Sequence, residues 1–362
     1  MGFQYALQNP STLLQGLELD PTDDRLDGFA YPALLGQAGS VGTFLDLSPR
    51  GGKPGKLNGS IRVRNRRDLE GAAADGAFLQ EVGAPRPSAD RFAPSDVAFS
   101  VKQLSAYSEE LIKYVENAFS ADEEAAMFRR AAMAVHLKLE KFCAAKLLGR
   151  AAAPLYGVPA LGWRNVDWQG GAGGSAISGG ASDTTIQVLR SIKDAAEMAG
   201  GAVCNLLVIP AGVANKLASD PGVLGISVIG DKAEGVAGVS VIPSKTREQV
   251  AGTLQSVLGI KRVIVANSFH DDAGRGAVSS TSRIWGDSAM WLGHSEPMAL
   301  NADASGIIDG AGAFLALHNG LFEADAGPDK PVGAQHLRVT CDSFVDMVAS
   351  HPTRGTVIHN LG

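Results

Sequence analysis

Residues 120–149 read SADEEAAMFRRAAMAVHLKLEKFCAAKLLG, and this stretch decides the fold. Ser120 followed three positions later by Glu123 forms a capping box, each side chain satisfying an orphan backbone donor of a helix start. Asp122, Glu123 and Glu124 occupy the first turn, where the helix dipole favours negative charge, and Lys146 sits near the other end. Phe128, Ala132, Val135, Leu139 and Phe142 recur at spacings of three and four and draw one apolar stripe. Gly149 suits the left-handed position that ends a helix, and Pro154 forbids continuation. The predicted helix is roughly 40 Å long at 1.5 Å per residue. Globular helices average about 11–12 residues, so this one needs an unusually long partner surface, and a sheet is the natural one.

The chain of 362 residues is 45% hydrophobic, more than one typical core accommodates, which predicts two or more domains. Its 44 glycines point to extended loops and turns. A formal net charge of -6 argues against a generic nucleic-acid binder. Cys143, Cys204 and Cys341 are odd in number and show no C-x-x-C spacing, so a reduced, cytosolic setting is expected and Cys143 reads as a small hydrophobe. The N-terminal residues show no basic-then-apolar secretory pattern, and no apolar run approaches the ~18 residues of a membrane span. The chain reads as soluble, with no membrane partner.

Outward from the helix, residues 1–50 lack a sustained period and are punctuated by Pro10, Pro21, Pro32 and Pro49, as an arm lying over another surface would be. Lys53, Lys56, Arg62, Arg64, Arg66 and Arg67 then follow with no acidic residue among them. Ser60–Arg64 alternates as a half-exposed strand, and Val97–Leu104 (VAFSVKQL) alternates again, so 51–97 reads as a long two-stranded excursion with a Gly/Pro-rich loop between. The basic stretch fits a nucleic-acid ribbon, a solvated face, or one half of an intersubunit charge match; it lacks stacking aromatics. A shorter helix is predicted at Ser108–Phe119. Beyond Trp163, Trp168 and the Gly-rich run 170–180, Ser182-Asp183 caps a helix over 184–199 with Ile186, Leu189, Ile192 and Ala196 on one face. Strands at Leu206–Ile209, Val263–Val265 and Arg283–Gly293 alternate with helices at Ala211–Ala218 and Gln249–Leu258, which predicts a compact α/β unit. Residues 300–362 read as irregular strands ending in Thr356-Val357-Ile358.

Catalytic signatures are weak. Gly171–Ala176 formally matches G-x-G-x-x-A but follows no apolar strand, and Gly310-Ala311-Gly312 also lacks context. The seven histidines include no H-x-x-x-H pair. His270-Asp271-Asp272 reads as a polar loop, and His136 as packing rather than a general base. No catalytic residue, cofactor site or metal site is expected, and the chain reads as not an enzyme.

The order of elements resembles the major capsid proteins of tailed bacteriophages with the HK97 fold. Four strings carry the likeness. Trp168 upstream of SDTTIQVLRSIKDAAEMAG (182–200) resembles that family's lead-in to its axial domain. NLLVIPAGVANKLASDPGV (205–223), LQSVLGIKRVIVANSFH (254–270) and RIWGDSAMWLGHSEP (283–297) are similar to three later family stretches. The likeness covers 97–362 by pattern and 1–96 by layout. It implies an α+β fold: an N-terminal arm (1–50), an E-loop hairpin (51–97), a peripheral domain with a spine helix (98–180), an axial domain (181–297), a return to the peripheral domain (298–345) and a C-terminal axial segment (346–362). It further implies a structural protein that self-assembles as hexamers and pentamers into an icosahedral head shell around DNA held without sequence specificity. The expected location is the virion, with assembly in the host cytoplasm. Scaffolding would come from a separate protein, with portal and decoration proteins as further partners. On this reading Lys53, Lys56, Arg62, Arg64, Arg66 and Arg67 make intersubunit contacts. An encapsulin-type nanocompartment shell is the nearest alternative, and an α/β nucleotide-dependent oxidoreductase using Gly171–Ala176 the more distant one.

Overall fold

The structure, a computed structural model, describes residues 43–46, 58–63, 95–111, 123–149, 161–168, 185–220, 223, 245–271, 273, 278–295, 307–308, 312–318, 323–329 and 336–361. In chain order these contain β1 (Thr43–Asp46), β2 (Asn58–Val63), β3 (Ser95–Ser100), β4 (Lys102–Leu111), α1 (Glu123–Leu148), β5 (Arg164–Asp167), α2 (Thr185–Gly200), β6 (Leu206–Pro210), α3 (Ala211–Ala218) and α4 (Arg247–Leu258). They continue with β7 (Arg262–Ala266), β8 (Phe269–Asp271), β9 (Thr281–Arg283), β10 (Met290–Gly293), β11 (Ile307–Ile308), β12 (Phe314–His318), β13 (Glu323–Asp329), β14 (His336–Ala349) and β15 (Gly355–His359).

The long helix is where its periodicity puts it. α1 runs 26 residues without interruption and ends at Gly149, φ 60°. It lies on a sheet built around β14, a 14-residue strand. β4 pairs antiparallel along one edge of β14, from Leu111↔His336 to Lys102↔Val345. β13 and β12 pair with successive halves of the opposite edge, and β1 adds parallel to β12. Val339, Cys341, Val345 and Met347 alternate toward the helix and are buried there, as the two-residue period of a strand requires.

Of the predicted stripe, Val135, Leu139 and Phe142 are buried and Ala132 is half-buried; the Phe128 side chain lies outside the described residues. The buried set in the first half steps in fours: Met127, Ala131, Val135 and Leu139. From Phe142 to Leu148 every residue is buried, so the stripe widens to the whole circumference. The reason is a second layer. The segment Leu161–Trp163 crosses the helix end, where Leu161 N–H (3.2 Å) and Trp163 Nε1–H (3.0 Å) both donate to the Lys146 carbonyl. A helix terminus buried this way needs such donors.

The second sheet has the order β5-β15-β10-β6-β7, with α2, α3 and α4 on one face. Its other face joins the α1 core. Leu206, Val208, Trp291 and Val357 belong to the α1 core, whereas Leu207, Ile209, Met290, Leu292 and Ile358 belong to the core under α2–α4. Burial on both faces explains why Leu206–Ile209 is uniformly apolar rather than alternating. The α2 face Ile186, Leu189, Ile192 and Ala196 is buried as the periodicity predicts. α4 begins with a Thr246/Gln249 capping box and ends at Gly259, φ 64°. The proposed cap at Ser182-Asp183 lies outside the described residues.

Three local expectations are corrected. Residues 108–111 are not the start of a helix but the end of β4, because a ten-residue ladder to β14 outweighs a weak helical spacing; residues 112–119 lie outside the described set. Val97–Leu104 is not one strand: it divides at Val101 between two sheets. Arg283–Gly293 is likewise two strands, β9 and β10, separated by a turn with Gly286 at φ 67° and the buried Trp285.

Candidate assembly interface

β2 and β3 pair antiparallel, Asn58 opposite Ser100 and Val63 opposite Ser95, and form a hairpin joined to the body through Val101. Asn58, Gly59, Ser60, Asp96 and Ala98 are exposed, while Phe99 is buried. Its ring covers Gly59 directly across the pair, where an added Cβ would approach it to 2.9 Å. β11 extends the hairpin sheet by pairing parallel with β2, Ile307 opposite Arg62.

The point of departure is chemically specific. The β4–β14 ladder stops at Lys102↔Val345. Ser100 N–H, on the residue before Val101, donates to Asp346 Oδ2 at 2.8 Å. Asp346 Oδ1 accepts its neighbour Met347 N–H at 2.8 Å and lies 3.5 Å from Lys146 Nζ on α1. Both charges are nearly dry, with side chains 11% and 7% exposed. Lys146 Nζ is also 5.4 Å from the Phe142 ring centroid. Beside this pair a cavity of about 650 Å³ opens between β3, α1 and the last residues of β14, lined by Val97, Phe99, Leu104, Phe142 and Met347. A side-chain carboxylate thus ends the ladder, releases the hairpin from the body sheet, and ties its root to the long helix. From the sequence Lys146 reads only as a charge that complements the helix dipole, and Asp346 is not singled out. The usable signal was an isolated charge inside each apolar run, Lys146 in CAAKLL and Asp346 in FVDMV.

Of the basic residues singled out, Arg62 is in β2, in register with Asp96. Lys53, Lys56, Arg64, Arg66 and Arg67 lie outside the described residues, as does Gly171–Ala176. The sheet face of β4 and β14 turned away from α1 carries Tyr107, 63% exposed, with the Arg338 guanidinium 4.7 Å from its ring centroid and Arg338 Nη2 2.9 Å from Glu109 Oε2.

Other polar groups serve structure. His270 is in β8, its Nε2 2.7 Å from Ser282 Oγ of β9. Asp271 accepts from Ser279 Oγ–H at 2.7 Å and from the Ala273 and Ser280 amides at 2.9 Å each, and these bonds hold its carboxyl below the usual range. The buried Glu140 of α1 accepts from Ser268 Oγ–H at 2.7 Å and from Trp285 Nε1–H, linking the helix to the second sheet's loops. All three cysteines are free and buried. Among the described residues no group of three or more His, Cys, Asp or Glu could hold a metal ion, and no helix is long and apolar enough to cross a membrane.

No protein-family model matches the chain, and no curated protein matches it in sequence. Solved structures do match. The crystal structure of a phage-related protein from Bordetella bronchiseptica is similar at a TM-score of 0.56 and 15% identity, over 98% of this chain and 97% of that one. The fold is shared. Further neighbours include the capsid of cyanophage P-SCSP1u (TM-score 0.43, 11% identity, 88% and 86% covered) and a virus-like particle from Pyrococcus furiosus (0.45, 9%, 97% and 97%).

Proposed function

We propose that this chain is the shell-forming subunit of a viral capsid, a major capsid protein of the HK97 kind that assembles through hexamers and pentamers around a phage genome. The observation that supports this most is the branch at Val101: an exposed hairpin leaves an otherwise well-packed body, in a fold shared along nearly its whole length with a phage-related protein. Residues 1–97 form about a quarter of the chain, yet their sequence carries little periodic apolar content with which to bury a core. Ordering such segments costs on the order of 1–2 kcal/mol per residue in backbone entropy, which neighbouring subunits must offset. Obligate interfaces of about 2,000 Å² or more supply that scale of contact. In this reading the segment 51–97 is the E-loop, α1 the spine helix, and the basic residues Lys53 to Arg67 face neighbouring subunits. The role is structural rather than catalytic, the location is the virion, and scaffolding, portal and decoration proteins are the further partners.

The test is sedimentation and negative-stain imaging of the full chain, alone and with any scaffolding protein encoded beside it. Closed, uniform shells are expected. A folded monomer that resists proteolysis within residues 1–97 and never forms larger species would refute the assignment.

A further inference from the structure

The cavity at the hairpin root has a volume of about 650 Å³, many times the ~30 Å³ that one water occupies. Protein interiors leave few voids larger than a water, and this one falls within the ~300–1,000 Å³ of small-molecule sites. Three elements wall it: β3 through Val97 and Phe99, α1 through Phe142, and the end of β14 through Met347 and Val348. Phe99, Phe142, Met347 and Val348 are buried, so packed side chains bound the space. Each water held in such a space needs about two to four polar partners, and apolar walls do not supply them. An apolar body fits these walls better than water does.

The charge of the lining selects what such a body must carry. Among the described residues the charged side chains on the wall are Lys102, Lys146 and Asp346, two cations against one anion. Asp346 is already engaged on both oxygens, Oδ1 by Met347 N–H and Oδ2 by Ser100 N–H, at 2.8 Å each. The exposed Lys102 donates to Ser100 Oγ at 3.3 Å. Lys146 is different: as a residue it is 9% exposed, and among the described residues no hydrogen bond holds its ammonium. It meets Asp346 Oδ1 at 3.5 Å, longer than an ordinary hydrogen bond, and the Phe142 ring. An ammonium has three N–H donors, so a nearly dry cation with unused donors lines an apolar space. We propose that this cavity binds a free amphipathic carboxylate, a monoacyl chain whose head is held by Lys146 and whose tail lies against Val97, Phe99, Phe142 and Met347. A single carboxylate matches the single excess positive charge, and a charge-assisted bond at so dry a cation is stronger than a neutral one. The bound chain joins β3 to α1, the same two elements that Asp346 links. This site goes beyond the shell reading and does not depend on assembly.

The test is equilibrium dialysis of the full chain against radiolabelled dodecanoate below its micelle concentration, with dodecanol as the uncharged probe of the same tail. One saturable site per subunit is expected, with dodecanol weaker by about tenfold or more. Two variants separate head from tail. Lys146→Met with Asp346→Asn removes both charges and keeps an acceptor for Ser100 N–H; it should weaken dodecanoate by about tenfold or more and leave dodecanol within about twofold. Val97→Trp fills the space and should abolish binding of both probes. Circular dichroism establishes that each variant is folded; where one is not, the acid-to-alcohol ratio of the parent chain decides alone. No saturable binding, equal affinity for acid and alcohol, or unchanged dodecanoate affinity in either folded variant would overturn the proposal. So would binding by the dissociated chain that assembled shells lose, since a neighbouring subunit would then fill the cavity. None of these results would touch the shell assignment, which sedimentation tests separately.

Discussion

Lys146 and Asp346 lie 3.5 Å apart where the β4–β14 ladder ends, and the same carboxylate takes the Ser100 amide at the root of the hairpin. One buried ion pair therefore joins the long helix, the central strand and the hairpin. Its worth is geometric. Burial costs each charge its hydration, so the pair specifies where the hairpin leaves more than it stabilises the body.

Lys146→Met should destabilise the protein by about 3–5 kcal/mol, because it strands a buried carboxylate. Lys146→Met with Asp346→Asn should recover most of that, since the amide oxygen still accepts from Ser100 N–H. Urea unfolding midpoints decide the matter. A single variant within about 0.5 kcal/mol of the parent would show that the pair is solvated.

Gly293 and Gly355 face each other across β10 and β15. A Cβ on Gly293 would come within 2.4 Å of the Trp291 ring, and one on Gly355 within 2.5 Å of Trp163. These rings pack edge-to-face at 5.6 Å, each also against Phe314. Alanine at either position should cost about 1–3 kcal/mol through overpacking. Gly252, inside α4 with nothing within 4 Å, should instead gain about 0.5–1 kcal/mol as alanine. Paired thermal melts would expose a reversal of sign.

Phe142→Ala should cost about 3–5 kcal/mol, since the ring is 4% exposed and lies among α1, β3 and β14. The same substitution enlarges the cavity at the hairpin root. Limited proteolysis should accordingly cut the 64–94 region faster, and an unchanged cleavage rate would separate the helix core from the hairpin.

The thiols should be silent in the folded protein. Burial pushes Cys204 up to about 12, helped by Glu197, and Cys341 up to about 11, helped by Asp342; Cys143 is raised by burial and by Glu140. A thiolate reagent at pH 8 should therefore find none of these three in the native protein and all three after denaturation. Fast labelling of any one in the native state would contradict its burial.

His136 is lowered to about 4 from an ordinary 6.5 because burial disfavours the charged ring. The unfolded chain thus takes up this proton at a higher pH than the folded one. The contribution is complete above pH 6.5 and is lost as pH falls from 6.5 towards 4. At about 1.4 kcal/mol per pKa unit the loss is at most about 3 kcal/mol, and less because the ring is only half-buried. His136→Asn should flatten that part of the stability–pH curve; an unchanged slope would place the ring in water.

Local signals in the sequence were sufficient for several elements. Periodicity and the Gly149 stop located α1, and periodicity the buried face of α2 and α3, because a helix's own spacing and stop residues are written within a few turns; the Ser120 cap of α1 lies outside the described residues. The apolar run at 206–209 was legible as a strand, since burial on both sheet faces leaves no polar position to confuse it.

What only the tertiary structure decided are the long-range pairings. VAFSVKQL alternates throughout, but β14, more than two hundred residues away, takes the part from Lys102 onward and leaves the rest to the hairpin. RIWGDSAMWLG looked like one strand until Gly286 turned the chain and Trp285 was buried beneath it. Lys146 and Asp346 were each an odd charge in an apolar run; their meaning exists only when helix and strand bring them to 3.5 Å. Periodicity encodes what one element presents. Which elements meet is set by the burial of all their faces together, and that sum has no local sequence signature.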